Sequence, residues 1–227
     1  MTERTCTAVI VAAGSASRMR GIDKTVAPLG GEPLILRTVR ALSAAASVTE
    51  IVIVTREDLI PTVTALCRGE GKVTSVVAGG SDRTASVLNG LQAARGELVA
   101  IHDGARPFVT VEIIEETIAA TREYDGAAPA IPVKDTIKIA EGRKIRGTPD
   151  RSGLFAVQTP QVFDRVVIET ALRQAVERGI PLTDDCSAAE AAGLTVVLTE
   201  GSDENIKITT PVDLLFGEAI LRRRSGL

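Results

Sequence analysis

At 227 residues, with 44% hydrophobic and 24% charged residues, the chain has the balance of a folded globular protein and the length of one large α/β domain spanning 1–227. A net charge of −3 and 2% aromatics without tryptophan argue against a nucleic-acid binder, and no run approaches the roughly 18 apolar residues of a membrane helix. Cys6, Cys67 and Cys186 are odd in number, far apart and without CxxC spacing, which points away from a disulfide framework or a zinc site and towards a reducing cytoplasm.

At the N-terminus, Glu3 and Arg4 precede a short apolar run that ends in a Gly-rich turn without a cleavage site, so TAVIVA at 7–12 reads as a first strand rather than a signal peptide. Further β-branched runs, EIVIVT at 50–55, VTSVVA at 73–78, ELVAI at 97–101 and GAAPAI at 126–131, predict buried parallel strands. Between the first two, Ile35, Val39, Leu42 and Ala46 form one helical stripe, a pattern repeated by Val111, Ile114 and Ile118 and by Ile168, Leu172 and Ala175. Strands separated by helices of this length predict right-handed βαβ units and a mostly parallel sheet covered on both faces. Residues 132–153 break the pattern: TIKIA and KIRGT alternate around Glu141-Gly142, as in a hairpin with one wet face. An isolated hairpin is marginal in water, so this one is expected to pack on something, a second subunit being one choice. The closing LRRRSGL reads as a solvated, frayed tail.

Chemistry-bearing residues gather where these strands end. Ala12-Ala13-Gly14 leaves the first strand, with Arg18 and Lys24 beyond; small residues there let backbone N–H groups approach an anion, and phosphoryl transfer needs such cations. The spacing is neither GxGxxG nor a P-loop, and the second strand ends in Thr55-Arg56 without the acid a dinucleotide site requires. Gly79 and Gly80 follow the third strand; Ser81 or Asp82 is placed to cap the next helix, and Ser86 lies one turn in, where it can read a base edge. In His102-Asp103-Gly104-Ala105-Arg106, Asp103 is a reasonable Mg²⁺ ligand beside phosphate-binding loops, and Arg106 can fork onto a phosphate. His102, the sole histidine, reads as structural. Further on, Thr183 is expected to cap a helix starting at Asp184, whose positive end suits the two acids, and Cys186 has no histidine to activate it.

Taken in order, AAGSASRM with Lys24, GGSDRTAS, HDGARP, KDT, DRSGL, QTPQ, LTDDCSA and ENIKIT resemble the 2-C-methyl-D-erythritol 4-phosphate cytidylyltransferases of the non-mevalonate isoprenoid pathway over about residues 7–215. The resemblance implies a Rossmann-like, doubly wound nucleotidyltransferase domain with a protruding β-hairpin arm, a homodimer formed through that arm, and a need for Mg²⁺. It implies that Arg18 and Lys24 stabilise the transition state and that Ala12, Ala13, Gly14, Gly80, Asp82 and Ser86 hold the cytidine of CTP. It places Asp103 near metal and substrate, and gives binding of the polyol phosphate to Arg106, Thr136, Arg151, Thr159 and Thr183. Thr136 and Arg151 would reach the neighbouring subunit's site, with Arg151 among the catalytic set, and Lys207 would orient both substrates. The chain departs from the family pattern at Asp23-Lys24-Thr25, Asp103-Gly104-Ala105 and Asp185. A cytidylyltransferase acting on ribitol 5-phosphate and a nucleotide-binding regulatory protein remain the alternatives, although KDT, DRSGL and LTDDCSA favour methylerythritol phosphate.

Overall fold

The CTAVIVA run folds as strand β1 (Cys6–Ala12), buried along nearly all its length. The computed structural model describes residues 4–14 and 25–226. A two-residue ladder, β2 (Pro28–Leu29) with β3 (Glu32–Pro33), leads into α1 (Leu34–Ser43), followed by β4 (Val48–Thr55), α2 (Ile60–Leu66), β5 (Val73–Ala78), α3 (Arg83–Ala93) and β6 (Leu98–Asp103). Next come α4 (Val111–Ala120), β7 (Gly126–Pro132) and a hairpin of β8 (Ile139–Glu141) with β9 (Lys144–Gly147). The chain closes with β10 (Phe155–Val157), β11 (Gln161–Asp164), α5 (Arg165–Glu177), α6 (Asp185–Ala191), β12 (Val196–Glu200) and α7 (Pro211–Arg224).

β1 pairs in parallel with β4 on one side and β6 on the other, and β5 adds in parallel beyond β4, which is the expected βαβ core. Side chains alternate along β1, so Ala8, Ile10 and Ala12 enter one core with α1 and α4, while Val9 enters the other with α3 and α5. The sheet is therefore covered on both faces. β5 is half-buried instead of buried, because it is the edge strand and pairs only with β4. Glu50, near the start of β4, takes hydrogen bonds from the Thr7 hydroxyl of β1 (2.6 Å), the Thr74 hydroxyl of β5 (2.9 Å) and the Arg95 N–H (2.8 Å). Burial alone would raise its pKa; those donors outweigh it and hold the carboxyl below its ordinary value.

The far half holds the antiparallel exceptions to the mostly parallel sheet. β7 forms at 126–132, but β11 runs antiparallel between it and β6. Ala130 pairs with both Val157 and Glu200, so β10 and β12 lie on opposite edges of β7, antiparallel and parallel respectively. None of these three strands is visible as an apolar run: β10 has three residues, β11 has four, and β12 is only half-buried. The stripe of α1 ends at Leu42, and Ala46 lies past the helix and is exposed.

The hairpin pairs over 139–147, less than the TIKIA and KIRGT runs imply, and turns at Gly142 with φ +59°. Ile139 and Ile145 are 58% and 65% exposed, without cover among the described residues. The LRRRSGL end is no frayed tail. α7 runs to Arg224, which donates to the Phe108 carbonyl (3.0 Å), pairs with Glu204 (2.9 Å) and stacks over the Phe108 ring. Among the described residues, no helix is long and apolar enough to cross a membrane.

Candidate functional site

A cavity of about 400 Å³ opens at the carboxyl ends of β1, β5 and β6, where open α/β sheets take their ligands. One wall is Ala12, Ala13 and Gly14; a second is Gly80, Asp82, Arg83 and Ser86; a third is Asp103, Gly104, Ala105 and Lys207. Glycine lets these loops converge. A Cβ on Gly79 would stand 2.3 Å from the Ala13 Cβ, and one on Gly104 would stand 2.8 Å from the Ala12 Cβ.

On the second wall Asp82 is the N-cap of α3, its carboxylate accepting from the Ala85 N–H at 2.8 Å, and that bond leads the causes that keep its pKa low. The Ser86 hydroxyl donates to the Asp82 carbonyl (2.8 Å) and accepts from the Gly80 N–H (3.0 Å), which fixes the backbone that faces the cavity. Arg83 forks onto Asp185 of α6 at 2.9 and 2.6 Å. The carboxylate is fully buried, and the guanidinium side chain is 32% exposed. Burial works against the Arg83 cation, but Asp185 reverses that and raises its pKa, while burial pushes the Asp185 carboxyl up in spite of Arg83.

On the third wall Asp103 ends β6, nearly buried, with Lys207 Nζ at 2.8 Å and Arg106 Nε at 3.5 Å from its Oδ2. Burial would raise the Asp103 pKa; Lys207, Arg83 and Arg106 together outweigh it and lower the value. Beneath it runs a hydrogen-bonded chain. The Asp103 N–H donates to the Thr159 hydroxyl (3.1 Å), and that hydroxyl donates to His102 Nδ1 (3.1 Å). His102 Nε2–H in turn donates to the Arg106 carbonyl at 3.0 Å, which assigns the tautomer from its partners. Burial drives the His102 pKa down to about 4, so the ring is neutral at pH 7 and acts as a brace.

The structure brings Ala12, Ala13, Gly14, Gly80, Asp82, Ser86, Asp103 and Lys207 to one cavity. Arg18 and Lys24 lie outside the described residues, between Gly14 and Thr25, which both line it. Arg106 stands behind Asp103, its Nη1 donating to the Asn205 carbonyl at 2.6 Å, and Thr159 is buried with its hydroxyl engaged. Thr136 and Arg151 are exposed at the hairpin and its base, where Arg151 donates to the Lys134 carbonyl. Thr183 is exposed and is not the cap of α6. Asp184 is, in a reciprocal box with Ser187, and the Asp185 carboxylate turns inward to Arg83 instead of serving the helix end. Cys186 is buried, and burial first, then the acids beside it, raise its thiol pKa far out of the reactive range.

Arg83 and Asp185 are the site residues that the sequence reading passes over. Both fall inside motifs it picks out, and the one available signal is that of two adjacent acids only one can cap. The paired glutamines of QTPQ prove to be scaffold. Gln161 accepts from the Asp185 and Cys186 N–H groups and donates to Asp184, tying β11 to α6.

A profile of the 2-C-methyl-D-erythritol 4-phosphate cytidylyltransferase family matches residues 6–223. The chain is 46% identical over 222 residues to the protein of that name from Geobacillus kaustophilus, spanning 96% of this chain and 97% of that one. With its namesake from Cereibacter sphaeroides the identity is 44% over 233 residues, spanning 98% and 100%. Among solved structures, 4-diphosphocytidyl-2C-methyl-D-erythritol synthase from Anaerococcus prevotii superposes with a TM-score of 0.87 at 30% identity over 97% of each chain. The Thermus thermophilus 2-C-methyl-D-erythritol 4-phosphate cytidylyltransferase gives 0.79 at 31% identity, covering 94% of this chain and 98% of that one.

Arg83→Met strands a buried carboxylate. We expect a loss of about 3 kcal/mol at pH 7 in urea unfolding, the low end for a broken buried pair because the guanidinium is partly wet. The deficit should shrink as pH falls, since protonation neutralises the stranded group. A loss that does not change between pH 7 and 5 would show that Asp185 is not held ionised by Arg83.

Proposed function

The chain belongs to the 2-C-methyl-D-erythritol 4-phosphate cytidylyltransferase family, and from this membership and the cavity together we infer how its residues carry out the reaction. It transfers CMP from CTP to 2-C-methyl-D-erythritol 4-phosphate, giving 4-diphosphocytidyl-2-C-methyl-D-erythritol and pyrophosphate in the non-mevalonate isoprenoid pathway. The observation that carries the assignment of roles is the cavity itself, with two glycine turns on one side and the Asp103–Lys207 pair on the other.

A phosphate oxygen of the acceptor attacks the α-phosphorus of CTP, and the bond to pyrophosphate breaks with its electron pair going to the leaving oxygen. Little covalent work falls to the protein, so catalysis rests on positioning and on cations that meet the developing charge. The cytidine is assigned to the wall of Ala12, Ala13, Gly14, Gly80, Asp82 and Ser86, whose backbone is pre-set by the Ser86 hydroxyl. Arg18 and Lys24 are assigned the transition-state charge on the strength of the family pattern alone. Lys207 is assigned the junction of the two substrates, because it enters the cavity from the segment after β12 while paired to Asp103.

Asp103 and Asp82, which both line the cavity, are the carboxylates that would hold a magnesium ion, with triphosphate oxygens and water completing its shell. Bound at Asp103, it would neutralise charge on the triphosphate.

The acceptor is assigned to Arg106, Thr136, Arg151, Thr159 and Thr183, with Thr136 and Arg151 given by a second copy through the hairpin arm. The exposed Ile139 and Ile145 of the hairpin support such a homodimer. A cytoplasmic location belongs to the same reading, supported by three cysteines that are buried and unpaired.

Incubation with CTP, MgCl₂ and either methylerythritol phosphate or ribitol 5-phosphate should release pyrophosphate with the first acceptor and none after chelation of the metal; preference for ribitol 5-phosphate would overturn the acceptor. The shared site is tested by mixing Arg151→Ala protomers with Lys207→Ala protomers. Subunit exchange should restore up to about a quarter of parental activity, since one site of each heterodimer is intact. A mixture no more active than its parts would place the arm outside the site.

A further inference from the structure

Between β12 and α7 the chain runs from Gly201 to Thr210 without helix or strand, yet it must deliver Lys207 to the cavity. Backbone that lacks a ladder is held by other partners, and here they include the Gln158 amide and Arg106, with the segment's own Asn205 side chain tying it to Gln158 and Thr159. Asn205 is fully buried. Its Nδ2 donates to the Gln158 Oε1 at 3.1 Å and to the Thr159 carbonyl at 3.1 Å; two acceptors facing one amide group require the NH₂ on that side. Its own carbonyl accepts from Arg106 Nη1 at 2.6 Å, and its N–H donates to the Ser202 carbonyl at 3.0 Å. Gln158 closes the bracket, donating to the Ser202 carbonyl (2.8 Å) and accepting from the Ser202 N–H (3.2 Å).

Each end of this bracket reaches a group that faces the chemistry. Two residues on from Asn205, Lys207 Nζ meets Asp103 at 2.8 Å, and the next N–H, of Ile208, donates to the Ala105 carbonyl at 2.8 Å. Thr159, whose carbonyl Asn205 grips, gives its hydroxyl to His102 and accepts from the Asp103 N–H. Arg106, bonded to the Asn205 backbone, lies 3.5 Å from Asp103. Asn205 thus joins these supports: its side chain ties the segment that carries Lys207 to Thr159 beneath Asp103, and its backbone carbonyl holds Arg106.

We propose that Asn205 is the positioning residue for the acceptor side of the site, fixing Lys207 and Arg106 relative to Asp103. The proposal rests on the reaction assigned above. It goes beyond it in giving a role to a side chain that touches neither substrate. Buried amides whose loss only loosens the fold lower stability; one that places a catalytic cation also changes the kinetics of the folded enzyme, since misplacement by an ångström costs rate. Asn205→Asp sets a carboxylate against two acceptor oxygens, and Asn205→Ser keeps a single shorter donor.

Steady-state kinetics on the folded fraction of each variant, with CTP and methylerythritol phosphate varied in turn, test this. In Asn205→Asp and Asn205→Ser we expect kcat to fall about tenfold to a hundredfold with a raised KM for the acceptor, while KM for CTP stays within about twofold. In a Lys207→Ala background, Asn205→Ser should lose most of its effect on kcat, because one of the two cations it places is gone and only the share through Arg106 remains. If Asn205→Asp does not fold, the serine variant and its cycle with Lys207→Ala decide the question. A lower melting temperature with unchanged kinetics would overturn the proposal, as would KM for CTP rising in step with that for the acceptor, or the full effect persisting without Lys207. Wild-type enzyme inactive with CTP and both polyol phosphates would instead refute the assigned reaction.

Discussion

A carboxylate withdrawn from water at the end of a sheet strand stays ionised only where cations are built around it, and Asp103 meets that condition through Lys207, Arg106 and Arg83. These come from three places in the chain: the segment after β12, the loop after β6, and the start of α3. Each is anchored by something other than Asp103. Arg83 is forked onto Asp185, Arg106 is bonded to the Asn205 carbonyl, and Lys207 rides on a segment bracketed by Gln158 and Asn205. The site is therefore a charge arrangement set before any ligand arrives. Such pre-organisation favours a reaction whose transition state spreads negative charge over phosphoryl oxygens.

The odd features of the fold serve this arrangement. A purely parallel sheet would have no place for the Gln158–Gln161 stretch, which joins β10 to β11 on the edge of β7 shared with β6. The antiparallel insertion brings Thr159 under Asp103 and His102, and Gln161 under the start of α6. α6 in turn points Asp185 at Arg83, so the second and third walls of the cavity are braced from one stretch, Thr159 to Gln161. α7 closes the rear by packing on Leu29, Leu34 and Phe108, and its last arginine is fixed to Glu204 beside the Lys207 segment.

β1, β4 and β6 were legible because burial on both faces writes continuous β-branched runs, β5 was legible from its β-branched run although it is a half-buried edge strand, and α1, α4 and α5 were legible as single helical stripes. The glycine-turn walls of the cavity were legible too, since glycines at strand ends mark close backbone approach. β10, β11 and β12 were not: they are short, and their environment comes from β7 rather than from their own pattern. The Asp103 side of the cavity was legible only in part. Arg106 and Asn205 are 99 residues apart, and Gln158 and Asn205 are 47 apart, so neither bond leaves a local trace. Asp185 was hidden differently, because a plausible capping role explained it fully until the fold placed Asp184 in that role. The C-terminal arginines are solvated as their pattern says, but that they end an ordered helix is not legible, because the carbonyl and ring that fix Arg224 belong to Phe108, far away in sequence.

The central claim is that Lys207, held against Asp103, acts where the two substrates meet, so the most direct test is the steady-state kinetics of Lys207→Met with CTP and methylerythritol phosphate. The account predicts a fall in kcat of about 100-fold, the scale for removing one pre-set cation or donor from a transition state, with KM for CTP little changed. A variant whose kcat stays close to that of the parent enzyme, or one that loses CTP binding alone, would contradict it.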